Sequence, residues 1–312
     1  MPPDRTGQYR SLAKLKHDIV MKTIFLYTSI FLILLVSCGK KQHPKIEMEA
    51  TSPYLDYSNS DDQFTGGITM IPITTPKGTF KVWTKRVGNN PKMKVLLLHG
   101  GPGGTHEFFE CFDGYLPKEE IEYIYYDQLD SYYSEKPNDS TLWTTEHFVE
   151  EVEYALKYQD NLKGLIISNM MASIPEYEKY AAEVLGPQLP PEVYKEIKDM
   201  EANNDFMNPK YTELVTQHYY TEHFLRLPLD KWPESINRAM AHLNPNIYVF
   251  MQGYSEFGVT GDPKYMEWMS KELPKGKFLL CPNGSHLSQY DDQKTYFNGL
   301  IKFIKDVDQK TY

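Results

Sequence analysis

Lys94-Val95-Leu96-Leu97-Leu98-His99-Gly100-Gly101-Pro102-Gly103-Gly104 is the stretch on which the fold turns. Four successive apolar residues are too few for a helix. Stopped by glycine and proline, they predict a strand over Lys94–Leu98 buried on both faces of a parallel sheet. A glycine-rich loop leaves that strand directly. Glycines there let the backbone turn tightly and aim N–H groups at a developing negative oxygen. On its own, such a loop serves equally as a simple turn or a phosphate cradle. It lacks the Lys-Ser/Thr of a P-loop, so nucleotide fits it poorly.

Outward from this core the pattern alternates. Residues 67–73 and 79–85 predict two short strands joined through Thr75-Pro76-Lys77-Gly78, which has turn chemistry. Glu-Tyr-Ile-Tyr-Tyr-Asp at 122–127 predicts the next strand. Thr144 or Thr145 caps a helix through 150–159, with acids in its first turns where the dipole favours them. Gly-Leu-Ile-Ile-Ser at 164–168 and Lys-Phe-Leu-Leu-Cys at 277–281 predict two further buried strands. Between them, prolines separate amphipathic stretches, as in a helical lobe. A closing helix is expected over 293–307. Strands alternating with helices predict an α/β fold with a mostly parallel sheet.

The 312 residues fit one large domain, or a core with an inserted lobe. A net charge of −9 without a basic stripe argues against nucleic acid as a partner. Cys38, Cys111 and Cys281 form no metal-ligand spacing and no disulfide framework, although their spacing leaves a Cys111–Cys281 bridge open. No metal or other cofactor is expected.

Near the N-terminus, Met21-Lys22 precedes an almost wholly apolar run at 24–36, the length of a signal-peptide core and short for a membrane span. It ends in Leu35-Val36-Ser37-Cys38-Gly39, which resembles the lipobox of bacterial lipoproteins. The plainer alternatives are a secretion signal or an anchor helix. The lipobox resemblance implies lipidation at Cys38, a membrane attachment through that lipid, and a place in the bacterial cell envelope, periplasm-facing or otherwise extracytoplasmic. The expected organisation is a signal region at 1–37, its first 20 residues a spurious extension, and a polar tether at 38–62. One half of the core follows at 63–168, a helical cap at 169–252, and the other half of the core at 253–312.

The loop at 99–103 combines with Tyr126-Asp127-Gln128-Leu129, residues 154–169, 219–226 and 252–258, and the stretch 281–292. Together they resemble the proline iminopeptidase family of α/β-hydrolases over nearly the whole body. The resemblance implies an enzyme that releases N-terminal proline from peptides. It places Gly100 and Gly101 in the oxyanion hole and makes His286, in Gly284-Ser285-His286-Leu287, the general base. It makes Glu256 the reader of the substrate amine, with Glu222 a second candidate. Read without the family, His286 is a loop histidine and the two glutamates are surface acids. One departure is Asp130, where the family usually has glycine, and often at Tyr132 as well. A positive φ there suits Asp130 and strains Tyr132.

What the family needs next is absent. Its nucleophile stands in Gly-x-Ser-x-Gly on a strand-to-helix turn, and the sequence holds no such pentapeptide. Ser255, in Gly253-Tyr254-Ser255-Glu256-Phe257, has the wrong context. Glu150-Glu151-Val152-Glu153 resembles the start of the helix before the nucleophile strand, and Tyr154-Ala155-Leu156 the end of the helix after it. A strand, elbow and helix, roughly 25–30 residues, are missing at that junction. A second gap, near Gly261-Asp262-Pro263, removes a strand and the triad aspartate. The expectation is an inactive chain whose sheet closes up around residues 164–168. The alternative function is non-catalytic binding of peptides or amines.

Overall fold

The computed structural model describes residues 53–58, 66–156, 162–170, 173–206, 208–252 and 260–311. A four-stranded mixed sheet organises them. β1 (Gly67–Thr75), β2 (Gly78–Val87), β3 (Lys94–Leu98) and β4 (Glu122–Asp127) lie in the order β1-β2-β4-β3. β1 pairs antiparallel with β2, and β2 with β4, while β3 runs parallel to β4. The hairpin turns at the expected place, with Thr75 opposite Gly78. There the Thr75 hydroxyl accepts the Lys77 N–H at 3.1 Å, and Gly78 takes φ 133°.

All six residues of β4 are buried, because it alone combines strands on both sides with a covered surface above and below. Tyr123 and Tyr125 face Trp83, Leu97, Phe112, Phe297 and Leu300, whereas Ile124 and Tyr126 face Ile71, Ile73, Val82 and Leu142. This is the two-residue alternation of a central strand. The long closing helix, Gln293–Gln309, covers the first surface with a stripe of Tyr296, Phe297, Leu300 and Ile304. Beneath the sheet's edge, Arg86 and Glu122 form a buried ion pair at 3.1 Å. The Asn90 N–H donates to the same carboxylate at 2.7 Å.

Three strand expectations fail, and for one physical reason. β3 is not buried on both faces: only Leu97 is inside, and Leu98 is 49% exposed. Residues 164–168 and 277–281 are not strands. Leu165, Ile166, Phe278, Leu279 and Leu280 are all exposed. The sheet does not close up. A parallel strand needs backbone groups about 4.8 Å away to pair with, and β3 has them only on its β4 side among the described residues. The approach of residues 162–168 to β3 is instead made by a side chain, the Lys163 ammonium donating to the Lys92 carbonyl at 3.2 Å. Both orphaned segments lean on the closing helix, Gly164 near Phe303 and Val307, and Leu279 near Gly299.

Helix α1, Thr145–Leu156, runs unbroken through the Glu153-Tyr154 junction. Thr144 caps it, its hydroxyl accepting the His147 N–H at 3.1 Å. The helical region then begins: α2 (Ile174–Tyr180), α3 (Pro191–Ala202), α4 (Pro209–Leu214), α5 (Glu234–His242), α6 (Pro245–Gln252) and α7 (Pro263–Glu272). Four of these start on proline, whose missing N–H costs nothing at a first turn. Asp262, at the second gap, caps α7 by accepting the Lys264 N–H at 3.0 Å. No helix among the described residues is long and apolar enough to cross a membrane.

Candidate active site

The glycine-rich loop leaves β3 in a conformation that only glycine permits. Gly101 has φ 120°, and a Cβ there would lie 2.9 Å from the Gly104 nitrogen. Gly103 has φ 80°, and its Cβ would lie 3.0 Å from the Asn244 carbonyl. His99 braces the loop from within. The Gln128 N–H donates to its Nε2 at 3.2 Å, which leaves the proton on Nδ1 to donate to the Gly100 carbonyl at 2.9 Å. Burial pushes the His99 pKa down, which preserves this neutral tautomer. Across the loop, the Asn244 N–H donates to the Gly103 carbonyl and its side-chain amide to the Asp130 carbonyl, both at 2.9 Å.

Asp130 has φ 66°, and its carboxylate compensates for that backbone by accepting the Asn138 N–H at 2.8 Å and the Trp143 indole N–H at 2.9 Å. Tyr132 is not strained as expected. It is absent from the positive-φ residues and stacks on His242 at 3.6 Å.

His286 follows the 277–281 segment, against the C-terminal half of the helical insertion. Its N–H donates to the His223 carbonyl at 3.0 Å, and its ring stacks on Phe224 at 5.7 Å. The Asn169 side chain donates to the His286 carbonyl. The residue is partly accessible, but its Nδ1 is buried and has no hydrogen-bond partner among the described residues. Burial alone lowers its pKa to about 4. In a Ser-His-Asp triad that nitrogen is the one the acid holds. No serine hydroxyl among the described residues reaches the ring. Ser285, its neighbour, turns its hydroxyl to the Phe224 carbonyl at 2.8 Å and to Asp291.

Glu222 is one residue from the carbonyl that anchors His286. It is exposed, and lines a groove of about 500 Å³ with Thr221, Arg226, Leu227 and Asp230. Glu256, Ser255 and Cys38 lie outside the described residues. Cys111 and Cys281 are free thiols, and burial pushes Cys111 up to about 12. No group of three or more His, Cys, Asp or Glu placed to hold a metal ion occurs among the described residues. Two supports of the loop escaped the sequence reading, Asn244 and Glu107. Neither falls in a recognisable motif, and both act across more than 100 residues of chain.

No protein-family model matches the chain. It is 49% identical over 296 residues to a proline iminopeptidase of Flavobacterium johnsoniae, covering 77% of this chain and 99% of that one. A proline iminopeptidase of Elizabethkingia meningoseptica is 48% identical over 300 residues, covering 78% and 100%. The chain belongs to the proline iminopeptidase family. Among solved structures it resembles VinJ, with a TM-score of 0.68 at 20% identity over 77% of this chain and 99% of that one. It also resembles the Mycobacterium smegmatis proline iminopeptidase, with a TM-score of 0.64 at 20% identity over 78% and 100%. The fold is therefore that of the α/β-hydrolases, with four paired strands among the described residues. Gly100 and Gly101 directly follow β3, and His286 follows the 277–281 segment.

Proposed function

We propose that this chain keeps the peptide-recognition frame of an aminopeptidase that releases N-terminal proline, and that it does not itself cleave. The observation carrying this is the His286 ring, whose buried Nδ1 has no acid and near which no serine hydroxyl stands among the described residues. The lengths of the alignment support it. Of 312 residues, 77% is about 240, yet they are spread over 296 aligned positions that take in nearly all of the Flavobacterium relative. Roughly 56 positions, the difference, thus face no residue here, enough for two strands, an elbow and a helix. Without the nucleophile the covalent route is lost, a deficit of about 10⁶ in turnover where it has been measured in a serine protease.

Gly100 and Gly101 would still offer N–H groups to a carbonyl oxygen, and Glu222 and Glu256 carboxylates to a substrate amine. The second reading, a non-catalytic binder of peptides or amines, follows from those survivors. Purified protein incubated with a prolyl chromogenic amide tests both: no release above buffer is expected, with binding of a prolyl peptide seen by calorimetry. Release that disappears in His286→Ala would refute inactivity, and absence of any binding would refute the second reading.

For the N-terminus, we propose lipidation at Cys38 and a cell-envelope location, with 38–62 as tether. Labelled palmitate should enter the full-length protein in a bacterial host and fail to enter Cys38→Ser. Equal labelling of both would overturn the lipobox reading.

A further inference from the structure

We infer that the face built from the start of β3 and residues 162–168 and 275–281 is a membrane-docking surface whose partner is a bilayer rich in anionic lipid. This contact is additional to the anchor proposed at Cys38 and does not depend on it. The two segments form one patch. Both lean on the closing helix, where a Cβ on Gly164 would lie 3.4 Å from Phe303, and Leu279 packs against Gly299. Positions 299 and 303 are one helical turn apart. Leu162 is 72% exposed and Leu165 64%, with Ile166, Phe278, Leu279 and Leu280 exposed beside them. Scattered apolar side chains on a surface are ordinary, but a contiguous group marks a contact face.

Charge selects the partner. The chain carries 42 acids against 33 lysines and arginines. Residues 90–98, 162–168 and 275–281 reverse that balance: they hold Lys92, Lys94, Lys163, Lys275 and Lys277 and no acid. The Lys163 ammonium donates to the Lys92 carbonyl at 3.2 Å, which brings two of these stretches together. Lys277 stands 3.2 Å from Asp306, which also takes Lys302 at 2.8 Å, so one carboxylate serves two ammonium groups. Lys94 reaches the buried Glu122 at 3.3 Å, and Glu119 is matched by Lys305. Apolar side chains rimmed by lysines suit a headgroup layer, the leucines entering it and the ammonium groups snorkelling to lipid phosphates. A second copy of the chain fits the face poorly, since a two-fold contact would set these acid-free stretches against each other, lysine facing lysine. The chain also enters the body at this end. Tyr54 donates its hydroxyl to the Ile121 carbonyl at 2.7 Å, and the Tyr57 hydroxyl accepts the Gly88 N–H at 3.0 Å. Residues 53–57 are thereby seated beside the loop that carries Lys92, and an anchor upstream of them joins the body at its lysine-bearing end.

Lysine acetylation by a water-soluble reagent, read residue by residue in a mass spectrometer, tests this on the full-length protein held on vesicles. One set of vesicles is phosphatidylcholine alone, and the other mixes in phosphatidylglycerol. On the anionic set Lys92, Lys163 and Lys277 should react about fivefold more slowly than on phosphatidylcholine, the factor expected for one lysine at such a surface. Lys195 of α3 and Lys210 of α4, both exposed, should keep their rates. High salt should abolish the difference. In the double variant Lys163→Gln/Lys277→Gln, Lys92 should regain its phosphatidylcholine rate. Equal shielding on both vesicle types would mean that protein, not lipid charge, covers the face, and overturns the inference. So does a Lys92 that stays shielded in the double variant, or shielding of Lys195 and Lys210 in its place. Absence of the chain from phosphatidylcholine vesicles would count against the anchor alone. The anionic vesicles are then compared with the free chain, and unshielded lysines there overturn the docking surface.

Discussion

The two sides of β4 differ in how completely the chain satisfies itself. Towards β2 and β1, every strand has a partner in register, and the buried Arg86 guanidinium donates through Nη2 to Glu122 Oε2 at 3.1 Å. Beyond β3, leucines and isoleucines of equal hydrophobicity lie exposed beside an edge with no partner among the described residues. Apolar residues suited to strands occur on both sides. What differs is the presence of neighbours. A strand sequence does not become a strand until backbone groups on another chain segment lie within reach, and an apolar residue is not core until something covers it.

The contrast is sharpest in stability. Phe297→Ala, on the complete side, should cost about 3–5 kcal/mol in urea unfolding. Glu122→Ala should cost a similar amount, about 3–5 kcal/mol, since it leaves the buried Arg86 guanidinium without its carboxylate. Leu280→Ala and Leu165→Ala, on the incomplete side, should stay within about 0.5 kcal/mol. A cost of several kcal/mol at Leu280 would mean that the segment is packed in solution, and the comparison would fail.

A middle-sized effect is expected at Glu151, which joins α1 to the end of β4. It accepts the Leu129 N–H at 2.8 Å and the Tyr126 hydroxyl, and its other oxygen lies 3.5 Å from His147 Nε2. Burial raises its pKa to about 7. The folded state therefore prefers the protonated acid. Its contribution is fully present below the unfolded value near 4.5 and is lost as pH rises towards 7. The swing is on the order of 3 kcal/mol. His147, lowered by burial, acts in the opposite sense, removing stability as pH falls below 6.5. Glu151→Gln should flatten the loss between pH 4.5 and 7 and stabilise the chain above pH 7. A pH–stability curve identical to wild type would show that Glu151 is solvated.

The same contrast explains what the sequence could disclose. The hairpin, β4, the Thr144-capped helix and the closing helix were legible because their signals are local: turn residues, a cap, a 3.6-residue stripe. Asp130 was legible too, since a short polar side chain is what tolerates φ 66°. Residues 164–168 and 277–281 carry equally good local signals and misled, because β pairing is decided by segments far away in the chain. Of the candidate site, the tight turn of the glycine loop was readable from motif. Glu107 was not, because its four donors come from Thr105, Tyr133, Arg238 and His242, and no spacing along the chain announces that convergence.

The smallest effect tests the site itself. His99, directly after β3, is held at both ring nitrogens, whereas the His286 Nδ1 has no partner among the described residues. A buried imidazole with no carboxylate beside it resists protonation, so His286 should titrate near 4. The sign follows: the folded chain favours the neutral ring, and this contribution is lost as pH falls from 6.5 towards 4. The ring Cε1–H shift in NMR, assigned by comparison with His286→Gln, reads the midpoint directly. An acid standing at Nδ1 would hold the imidazolium and carry the midpoint above 6.5. That outcome would restore half of a triad, and the proposal of inactivity would then rest on the missing serine alone.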